Sequence, residues 1–534
     1  MESGRKDCLK GRRRTGGSAM KRDGAALRVR RFLGTAAMGL FLCMISVLAL
    51  CALKVNVHIG VESVNVEWVS FLPERALPNL VLTAVGLLAL AALNGLLARF
   101  AGVRLCGAML GLWTAAALFW VLGVGMVPET DPGTMVEAAR LFAGGDYSAL
   151  SWGYFDAYPY QLGFVLLMEG ILRAFPGADV SLAVQCANVV CGVLTAGMMA
   201  ALCELIFEDR AAKYAAMLLV MLFLPFLLFC TYVYGTLLMI LLCSCAFVCF
   251  ARYLRTRRLC FAVAMMLALA LGYAVKLNAL IPMLALCICA ALDAMESRDA
   301  RALLCAAGSI LLGVALSRLV VAQYEWRSGI RVNANVCRLT WLMMGLGEPA
   351  SMPGWFNGYV VSFIGRDLTA QEQKAIVLSD LQARIPELLE DPLYTARFLR
   401  DKILSQWMEP TYSTIWWGTR CDWSGRFNGL AAMLYREGEP LRLAAEAYMN
   451  VYQQCLYALS AVGAVSALRR RDDAAALVLP VTLLGGLLFH ALFEAKSQYI
   501  YPYAVFMMPL AARGLCCLTR ALGRLAGRRM KEEL

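Results

Sequence analysis

The sequence predicts an all-α polytopic membrane protein with about 12 transmembrane helices and a mixed, mainly helical segment outside the membrane. The prediction rests on composition, on long apolar runs and on the position of the charged residues. Of the 534 residues, 60% are hydrophobic and 16% are charged, with a mean hydropathy of +0.63. Soluble domains are about 45–50% apolar and about 25% charged, so the composition excludes an ordinary soluble protein.

The apolar residues are gathered into runs of the length that a membrane-spanning helix needs, about 20 residues with a range of roughly 17–25. Residues 161–175 form a shorter apolar run that contains Glu169 and Arg173. We expect this piece to be an interfacial or re-entrant helix rather than a span. The runs predicted to span the membrane are 33–53, 77–97, 105–127, 182–206, 212–231, 235–251, 260–275, 278–293, 302–321, 451–467, 474–493 and 499–519.

The formal net charge of +12 lies at the two ends of the chain. Residues 1–31 have a net charge of +8, and residues 513–534 have a net charge of +4. Basic segments beside apolar runs mark the cytoplasmic side of a membrane protein. Every short loop that this orientation places inside contains at least two basic residues, as in RYLRTRR at 252–258. We therefore expect both termini in the cytoplasm and no nucleic-acid binding, which requires a basic face on a folded domain.

Two regions face outward in this topology, residues 128–181 and residues 323–450, and both are large enough to hold a site. Asp391 and Pro392 have the pattern of an N-cap followed by a first-turn proline, which predicts a helix that runs to about Trp407. Amphipathic stretches within 366–407 fit either helices lying on the membrane or helices of a small soluble domain. The predicted segments are a basic cytoplasmic tail (1–32), a transmembrane bundle (33–322) with an outer loop (128–181), an extracytoplasmic segment (323–450), C-terminal transmembrane helices (451–519) and a second basic cytoplasmic tail (520–534).

The histidine and cysteine content limits the chemistry. The chain has two histidines and 20 cysteines, so a His-rich metal site is excluded, and nearly all cysteines fall in apolar runs where they act as small hydrophobes. Cys337 and Cys421 are placed outside, where oxidation is permitted. The sequence leaves open whether these two cysteines form a disulfide or remain free thiols.

The first outer loop offers one candidate for acid–base chemistry. Asp131 lies a few residues beyond the third apolar run and is followed by Pro132. A carboxylate at this depth suits a general base that acts on a hydroxyl. The same pattern is typical of a helix N-cap. The two roles are compatible, because a cap fixes the backbone from which the carboxylate projects.

Aromatic residues with polar neighbours follow Asp131. An aromatic belt at the membrane interface is the commoner explanation for tyrosine and tryptophan at this depth, but a wall that binds a sugar needs the same residue types. Polar groups beside the rings favour the wall, since a belt does not require them. The candidate substrate-binding residues here are Tyr154, Asp156, Tyr158 and Gln161.

Further polar groups lie at the predicted outer ends of later helices. The two lysines among them could extend to the interface as long cationic side chains commonly do. Cations at outer helix ends run against the inward bias of basic residues, however, and a lipid-linked phosphate at the outer leaflet would account for both. The candidates are Tyr234, Lys276, Asn278, Glu494, Lys496 and Tyr499.

Taken together, these segments resemble bacterial GT-C glycosyltransferases. The similarity is greatest to the glycosyltransferase 39-like, protein mannosyltransferase-related membrane proteins of Gram-positive bacteria, and it covers roughly residues 105–515. Two N-terminal spans, 33–53 and 77–97, depart from the simplest pattern of that family. The residues that resemble it are Asp131, YFDAYPYQLG (154–163), YVYG (232–235), KLNALI (276–281), WLMMGL (341–346), GWFNGY (354–359), FLRDKILSQW (398–407) and FEAKSQYIYPY (493–503).

The resemblance implies a GT-C-like bundle in a bacterial plasma membrane, with an active site on the extracytoplasmic face. It implies transfer of a sugar from a polyprenyl-phosphate donor to a hydroxyl of a cell-envelope glycan, a lipid or a protein. The transfer would invert the anomeric carbon, with Asp131 as general base and Lys276 or Lys496 stabilising the leaving phosphate. Many relatives have a second acid beside the first. Here Pro132 follows Asp131, so assistance would have to come from Glu129 or Asp156. No cofactor is certain, and a divalent metal stays open but is not supported.

Two other function classes remain open at this stage. A transporter or flippase of lipid-linked glycans should have ionisable groups in mid-span and broken helices in paired repeats. The spans here are nearly free of mid-span charge, and the polar groups gather on one side, which favours one-sided chemistry. A glycan polymerase or ligase would use the same donors, and only the length of the acceptor would separate it from a single-sugar transferase.

Overall fold

The computed structural model describes residues 24–63, 66–100, 102–332, 336–366, 368–470 and 474–532. The described chain is helical nearly throughout, and four short strands interrupt it. The strands are β1 (Val55–Ser63), β2 (Val66–Pro73), β3 (Met126–Val127) and β4 (Asp422–Trp423). The helices are α1 (Gly24–Ala52), α2 (Ala76–Arg99), α3 (Val103–Val124), α4 (Thr130–Ala143), α5 (Tyr154–Ala157), α6 (Leu162–Ala174), α7 (Val180–Phe207), α8 (Arg210–Leu222), α9 (Leu224–Leu228), α10 (Thr236–Thr256), α11 (Leu259–Val275), α12 (Leu280–Ser297), α13 (Arg301–Ser328), α14 (Leu339–Leu346), α15 (Ala370–Glu390), α16 (Pro392–Trp407), α17 (Thr414–Thr419), α18 (Asn428–Tyr435), α19 (Pro440–Arg470), α20 (Ala474–Leu492) and α21 (Ser497–Glu532).

The polytopic helical class is confirmed, and each of the twelve predicted runs is helical. In the described part of the chain, ten helices are long and apolar enough to cross a membrane, or eleven if α8 and the helical segment that follows it count as one span. That pair bends by 64° at a break. The break lies just before Pro225, where a proline at the start of α9 cannot continue the hydrogen bonds of α8. The apolar helix α11 is shorter, with 17 residues.

A β-hairpin between the first two long helices was not predicted. Strands β1 and β2 pair in antiparallel fashion, with Val55 opposite Pro73 and Val61 opposite Glu67. Alternate residues of the hairpin, such as Val57 and Val69, are buried in the main hydrophobic core. The period-two alternation of Val and Ile in VNVHIGV, from residue 55, is the sequence signal for this hairpin.

Helix α4 begins differently from the prediction. Glu129, not Asp131, occupies the N-cap position, and its side chain makes no capping hydrogen bond. Asp131 lies in the first turn, directly after Thr130, whose φ of +51° is unusual for a β-branched residue. The N-cap interpretation of Asp131 is therefore wrong. Its carboxylate does not cap the start of the helix, and it makes no side-chain hydrogen bond to any residue in the described ranges.

The second region that was placed outside the membrane contains the predicted pair of helices. Asp391 is the N-cap of α16, and its carboxylate accepts hydrogen bonds from the backbone N–H groups of Leu393 at 2.9 Å and Tyr394 at 3.0 Å. Helices α15 and α16 share a small hydrophobic core with Leu346 and Phe363. Cys337 and Cys421 are free thiols.

The short apolar piece 161–175 forms the 13-residue helix α6. Glu169 on α6 is 1% exposed. Its carboxylate accepts hydrogen bonds from Tyr324 Oη at 2.7 Å and Arg173 Nε at 2.7 Å, and it forms an ion pair with Arg327. This network joins α6 to the end of α13. The charges within the apolar run therefore serve packing between helices.

Candidate active site

Asp131 lies beside two lysines from distant parts of the chain. The residue is exposed to solvent, yet the surrounding protein desolvates its carboxyl enough to raise its pKa. The positive charges of Lys496 and Lys276 oppose this shift, and the negative charge of Glu67 adds to it. Asp131 is therefore within electrostatic reach of all three groups.

Lys276 follows the last residue of α11 and is half-buried. Its Nζ lies over the ring of Tyr234, 3.9 Å from the centroid, in a cation–π contact. Burial lowers the pKa of Lys276 to about 7, against the opposing effect of the Asp131 charge. The amine can therefore change its charge near neutral pH.

Two glycines determine where Lys276 lies. A Cβ on Gly163 would be 1.9 Å from the carbonyl O of Ala274, and one on Gly235 would be 2.5 Å from a methyl group of Val275. These glycines allow the backbones of α6 and of the turn before α10 to approach the end of α11 closely. The end of α11 is therefore the meeting point of three segments, which are YFDAYPYQLG, YVYG and KLNALI.

Lys496 lies just before α21 and has a partner that the sequence did not suggest. Its Nζ forms an ion pair with Glu67 of β2, and it lies over the ring of Trp416, 4.9 Å from the centroid. Burial alone lowers the pKa of Lys496, but the charges of Glu67, Glu494 and Asp131 outweigh that effect and raise it. Lys496 is therefore a stable cation, in contrast to Lys276. The sequence signal that could have indicated Glu67 is its place in an alternating strand, where a carboxylate falls on the face that points inward.

Glu494 is a second carboxyl group in an enclosed position. Burial raises its pKa to about 7, the Lys496 charge opposes the shift, and the charges of Glu67 and Asp131 add to it. The hydroxyl of Tyr499 donates a hydrogen bond to Glu494 Oε2 at 3.1 Å. The segment is anchored by a backbone hydrogen bond of 2.8 Å from Ala495 N–H to the carbonyl O of Gly354.

Close contacts also join the segments between residues 341 and 407 to residues 493–499. A Cβ on Gly345 would be 2.3 Å from the backbone of Phe493. The fully buried Lys402 donates a hydrogen bond from Nζ to the carbonyl O of Gly345. The segments WLMMGL, GWFNGY and FLRDKILSQW therefore pack against the segment that holds Glu494 and Lys496.

Tyrosines form one wall of the site. The rings of Tyr154 and Tyr158 lie 5.0 Å apart, and Tyr158 also packs edge-on against Trp341 at 6.2 Å. Tyr234 stacks on Tyr232 at 5.2 Å, and its hydroxyl accepts a hydrogen bond from Gln161. The negative charge of Asp131 adds to the burial that raises the pKa of Tyr154 and of Tyr234. The rings therefore lie near the carboxylate.

Asp156 and Asn278 are the two remaining predicted site residues. Asp156 lies on α5 and Asn278 lies in the turn before α12, and both are half-buried. Within the described ranges, no three His, Cys, Asp or Glu residues are placed to hold a metal ion together. Asp131, Tyr154, Tyr158, Tyr234, Lys276, Glu494 and Lys496 form the connected part of the site, with Gln161 and Tyr499 bound to its members.

Comparison with known proteins gives a similarity to solved structures. No protein-family model matches this chain, and no curated protein matches it. A solved structure of the archaeal oligosaccharyltransferase AglB from Archaeoglobus fulgidus, in complex with an inhibitory peptide and a dolichol-phosphate, is similar with a TM-score of 0.40 and 14% sequence identity. The match covers 80% of this chain and 52% of the archaeal one, so this chain spans about half of the length of that protein. A similarity at this level does not establish a shared activity.

Proposed function

We propose that this chain is a GT-C-type membrane glycosyltransferase that moves a sugar from a polyprenyl-phosphate donor to an acceptor hydroxyl on the extracytoplasmic face. The observation that supports the proposal is the grouping of one accessible carboxylate, Asp131, with two lysines, Lys276 and Lys496, beside a wall of tyrosines. A base, cations for a phosphate and rings for a sugar are the parts that this reaction needs.

Asp131 is the proposed general base. Its carboxylate takes the proton of the acceptor hydroxyl while the acceptor oxygen forms a bond to the anomeric carbon. The bond from that carbon to the phosphate oxygen breaks on the opposite side, which inverts the configuration and releases the polyprenyl phosphate. Burial raises the pKa of Asp131, and a base is most effective when its pKa lies closer to the working pH.

The two lysines are proposed to bind the departing phosphate. Charge develops on the phosphate oxygen as its bond to the sugar breaks, and a fixed cation in an enclosed site stabilises that charge more than a solvated one does. Lys496 is held as a cation by Glu67, Glu494 and Asp131. Lys276 adds a second positive charge when it is protonated. A bacterial plasma membrane and an acceptor in the cell envelope belong to the same proposal.

The tyrosine wall is the proposed binding surface for the sugar. The rings of Tyr154 and Tyr158 present apolar faces, and Gln161 with the Tyr234 hydroxyl adds polar groups at its edge. An aromatic belt at the lipid interface would place such rings on the outside of the bundle. Here Tyr154 and Tyr234 instead lie within electrostatic reach of the Asp131 carboxylate, which favours the role in binding.

The test is a transfer assay in membranes that contain the full chain, with a panel of labelled polyprenyl-phosphate sugars as donors. Replacing Asp131 by Asn keeps the size of the side chain and removes the base, and we expect kcat to fall by about 10²–10⁴-fold, the usual contribution of general-base catalysis. Glu137→Gln is the matched control, because Glu137 is an exposed acid on the same helix that pairs only loosely with Arg140 at 3.7 Å.

Transfer at the wild-type rate by the Asp131→Asn variant would remove Asp131 as the base. Equal losses in Asp131→Asn and Glu137→Gln would show that the loss reflects the net charge of α4 rather than its chemistry. If the wild-type chain moved intact lipid-linked sugar across the membrane and transferred none, the assay would favour a transporter over an enzyme.

A further inference from the structure

The β1–β2 hairpin presents a carboxylate on its buried face. Glu67 is 7% exposed and shares this face with Val69, which is 3% exposed, whereas Trp68 between them is 41% exposed. A charged group on the inward face of a strand is costly unless a partner of opposite charge compensates for the lost water. The position of Glu67 therefore calls for a specific partner in the protein.

That partner is Lys496, more than 400 positions away in the sequence. The side chain of Lys496 lies between the carboxylate of Glu67 and the ring of Trp416. β1 contacts α17, which holds Trp416, and β2 contacts α16. The lysine head group is thus confined from two sides, and its side chain is only 16% exposed.

The foot of the hairpin is fixed to the helix bundle. The amide of Asn79 on α2 donates hydrogen bonds to the carbonyl O of Leu53 and to the carboxylate of Glu74, both at 3.2 Å. The backbone N–H of Glu74 donates to the carbonyl O of Lys54 at 2.7 Å. The two N-terminal helices therefore hold the hairpin in place and, through it, the position of Glu67.

From this geometry we propose that Glu67 is a positioning residue that holds Lys496 at the site for the donor phosphate. In this proposal the hairpin and its two flanking helices place Glu67 beside Lys496. The inference rests on the proposed function, because it assumes that Lys496 binds the phosphate. Glu67 does not itself touch the reacting atoms. It orients the amine and adds to the negative charges that favour its protonated form. The other groups that face Lys496 are Glu494 of its own segment, Asp131 of α4 and the cation Lys276.

The first experiment measures the reactivity of Lys496 in the purified full chain, without substrate. Amines react with an acylating reagent only when they are deprotonated, so loss of Glu67 should speed the acylation of Lys496 at a fixed neutral pH. We expect about a tenfold increase in Glu67→Gln, which corresponds to about one pKa unit, and near-wild-type reactivity in Glu67→Asp. Glu137→Gln, with the same charge change at an exposed acid of α4, is the control and should leave Lys496 unchanged.

The second experiment measures binding of decaprenyl phosphate to the full chain in detergent micelles. We expect Glu67→Gln to weaken binding about tenfold, roughly 1.4 kcal/mol, and Lys496→Met to weaken it at least as much. If Glu67 acts through Lys496, the double variant Glu67→Gln/Lys496→Met should bind no more weakly than Lys496→Met alone.

The outcomes separate the positioning role from the proposed function. Unchanged reactivity of Lys496 in Glu67→Gln, or fully additive losses in the double variant, would overturn the positioning role of Glu67. Equal affinity of the wild-type chain and Lys496→Met for decaprenyl phosphate would instead overturn the phosphate site at Lys496. In that case the labelling result would still decide whether Glu67 controls the charge of Lys496.

Discussion

Gly163 gives a sharp test of how the site is built, because it has no chemistry of its own. We predict that Gly163→Ala abolishes most of the transfer activity. The added Cβ would lie 1.9 Å from the carbonyl O of Ala274, whereas an ordinary van der Waals contact begins at 3.4 Å. The backbones of α6 and α11 must therefore separate by about 1.5 Å, the difference between these distances.

This separation acts on Lys276, which is two residues beyond Ala274. Overpacking of this kind costs about 1–3 kcal/mol of folding free energy. A misplacement of about 1 Å in an active site can reduce the rate about 10²-fold. We therefore expect a chain that still folds, with a transfer rate at least about 100-fold below that of the wild type.

The assay is the membrane transfer reaction, with thermal unfolding in detergent measured in parallel. Gly170→Ala is the matched control on the same helix, because nothing lies within 4 Å of the Cβ that it would add. Alanine is favoured over glycine inside a helix by about 0.5–1 kcal/mol, so this control should be fully active and slightly more stable. Wild-type activity in Gly163→Ala would refute the argument that close backbone approach positions Lys276.

Two further predictions concern charge. Lys276→Arg should extend activity to higher pH, because burial lowers the pKa of Lys276 to about 7 and arginine stays protonated throughout. The pH dependence of kcat/KM measures this effect. An unchanged decline on the alkaline side would contradict it. Glu169→Gln should lower the stability of the fold by about 1–3 kcal/mol, since it weakens the hydrogen bonds that this buried carboxylate accepts from Tyr324, Arg173 and Arg327. Burial raises the pKa of Glu169, but its hydrogen bonds from Arg327, Tyr324 and Arg173 outweigh that effect and lower it. Its stabilising effect is therefore present above the pKa of an unfolded glutamate, about 4.3, and is lost as the pH falls through the lower folded value. Thermal unfolding of both chains at neutral and acidic pH would show this difference, and equal stability at neutral pH would exclude it.

The sequence predicts the membrane helices well because hydropathy is a local property. Each predicted run is helical, and the start of α16 at Asp391 is confirmed because a cap depends on residues within one turn. The N-cap interpretation of Asp131 failed, although it used the same kind of local pattern. The helix begins at Thr130, whose φ is positive, so its start lies two residues earlier than the Asp–Pro pattern indicates.

The convergence of the site could be predicted only in part. Asp131, Lys276 and Lys496 were proposed from their position at outer helix ends, and the structure places them within reach of one another. Their spacing depends on tertiary contacts, such as that of Gly163 with Ala274, which leave no periodic trace in the sequence. Glu67 could not be paired with Lys496 for the same reason, because its partner is set by the packing of the hairpin against α16 and α17.

The charges of the site also determine how the proposed phosphate binding should vary with pH. Lys276 and Glu494 both have a pKa of about 7. As the pH falls through this value, Lys276 gains a positive charge and Glu494 loses a negative one, so both changes favour an anion. Replacing Lys276 by Arg removes only one of these titrations. A residual decline of kcat/KM above pH 7 in Lys276→Arg therefore belongs to Glu494, and the further change Glu494→Gln should abolish it.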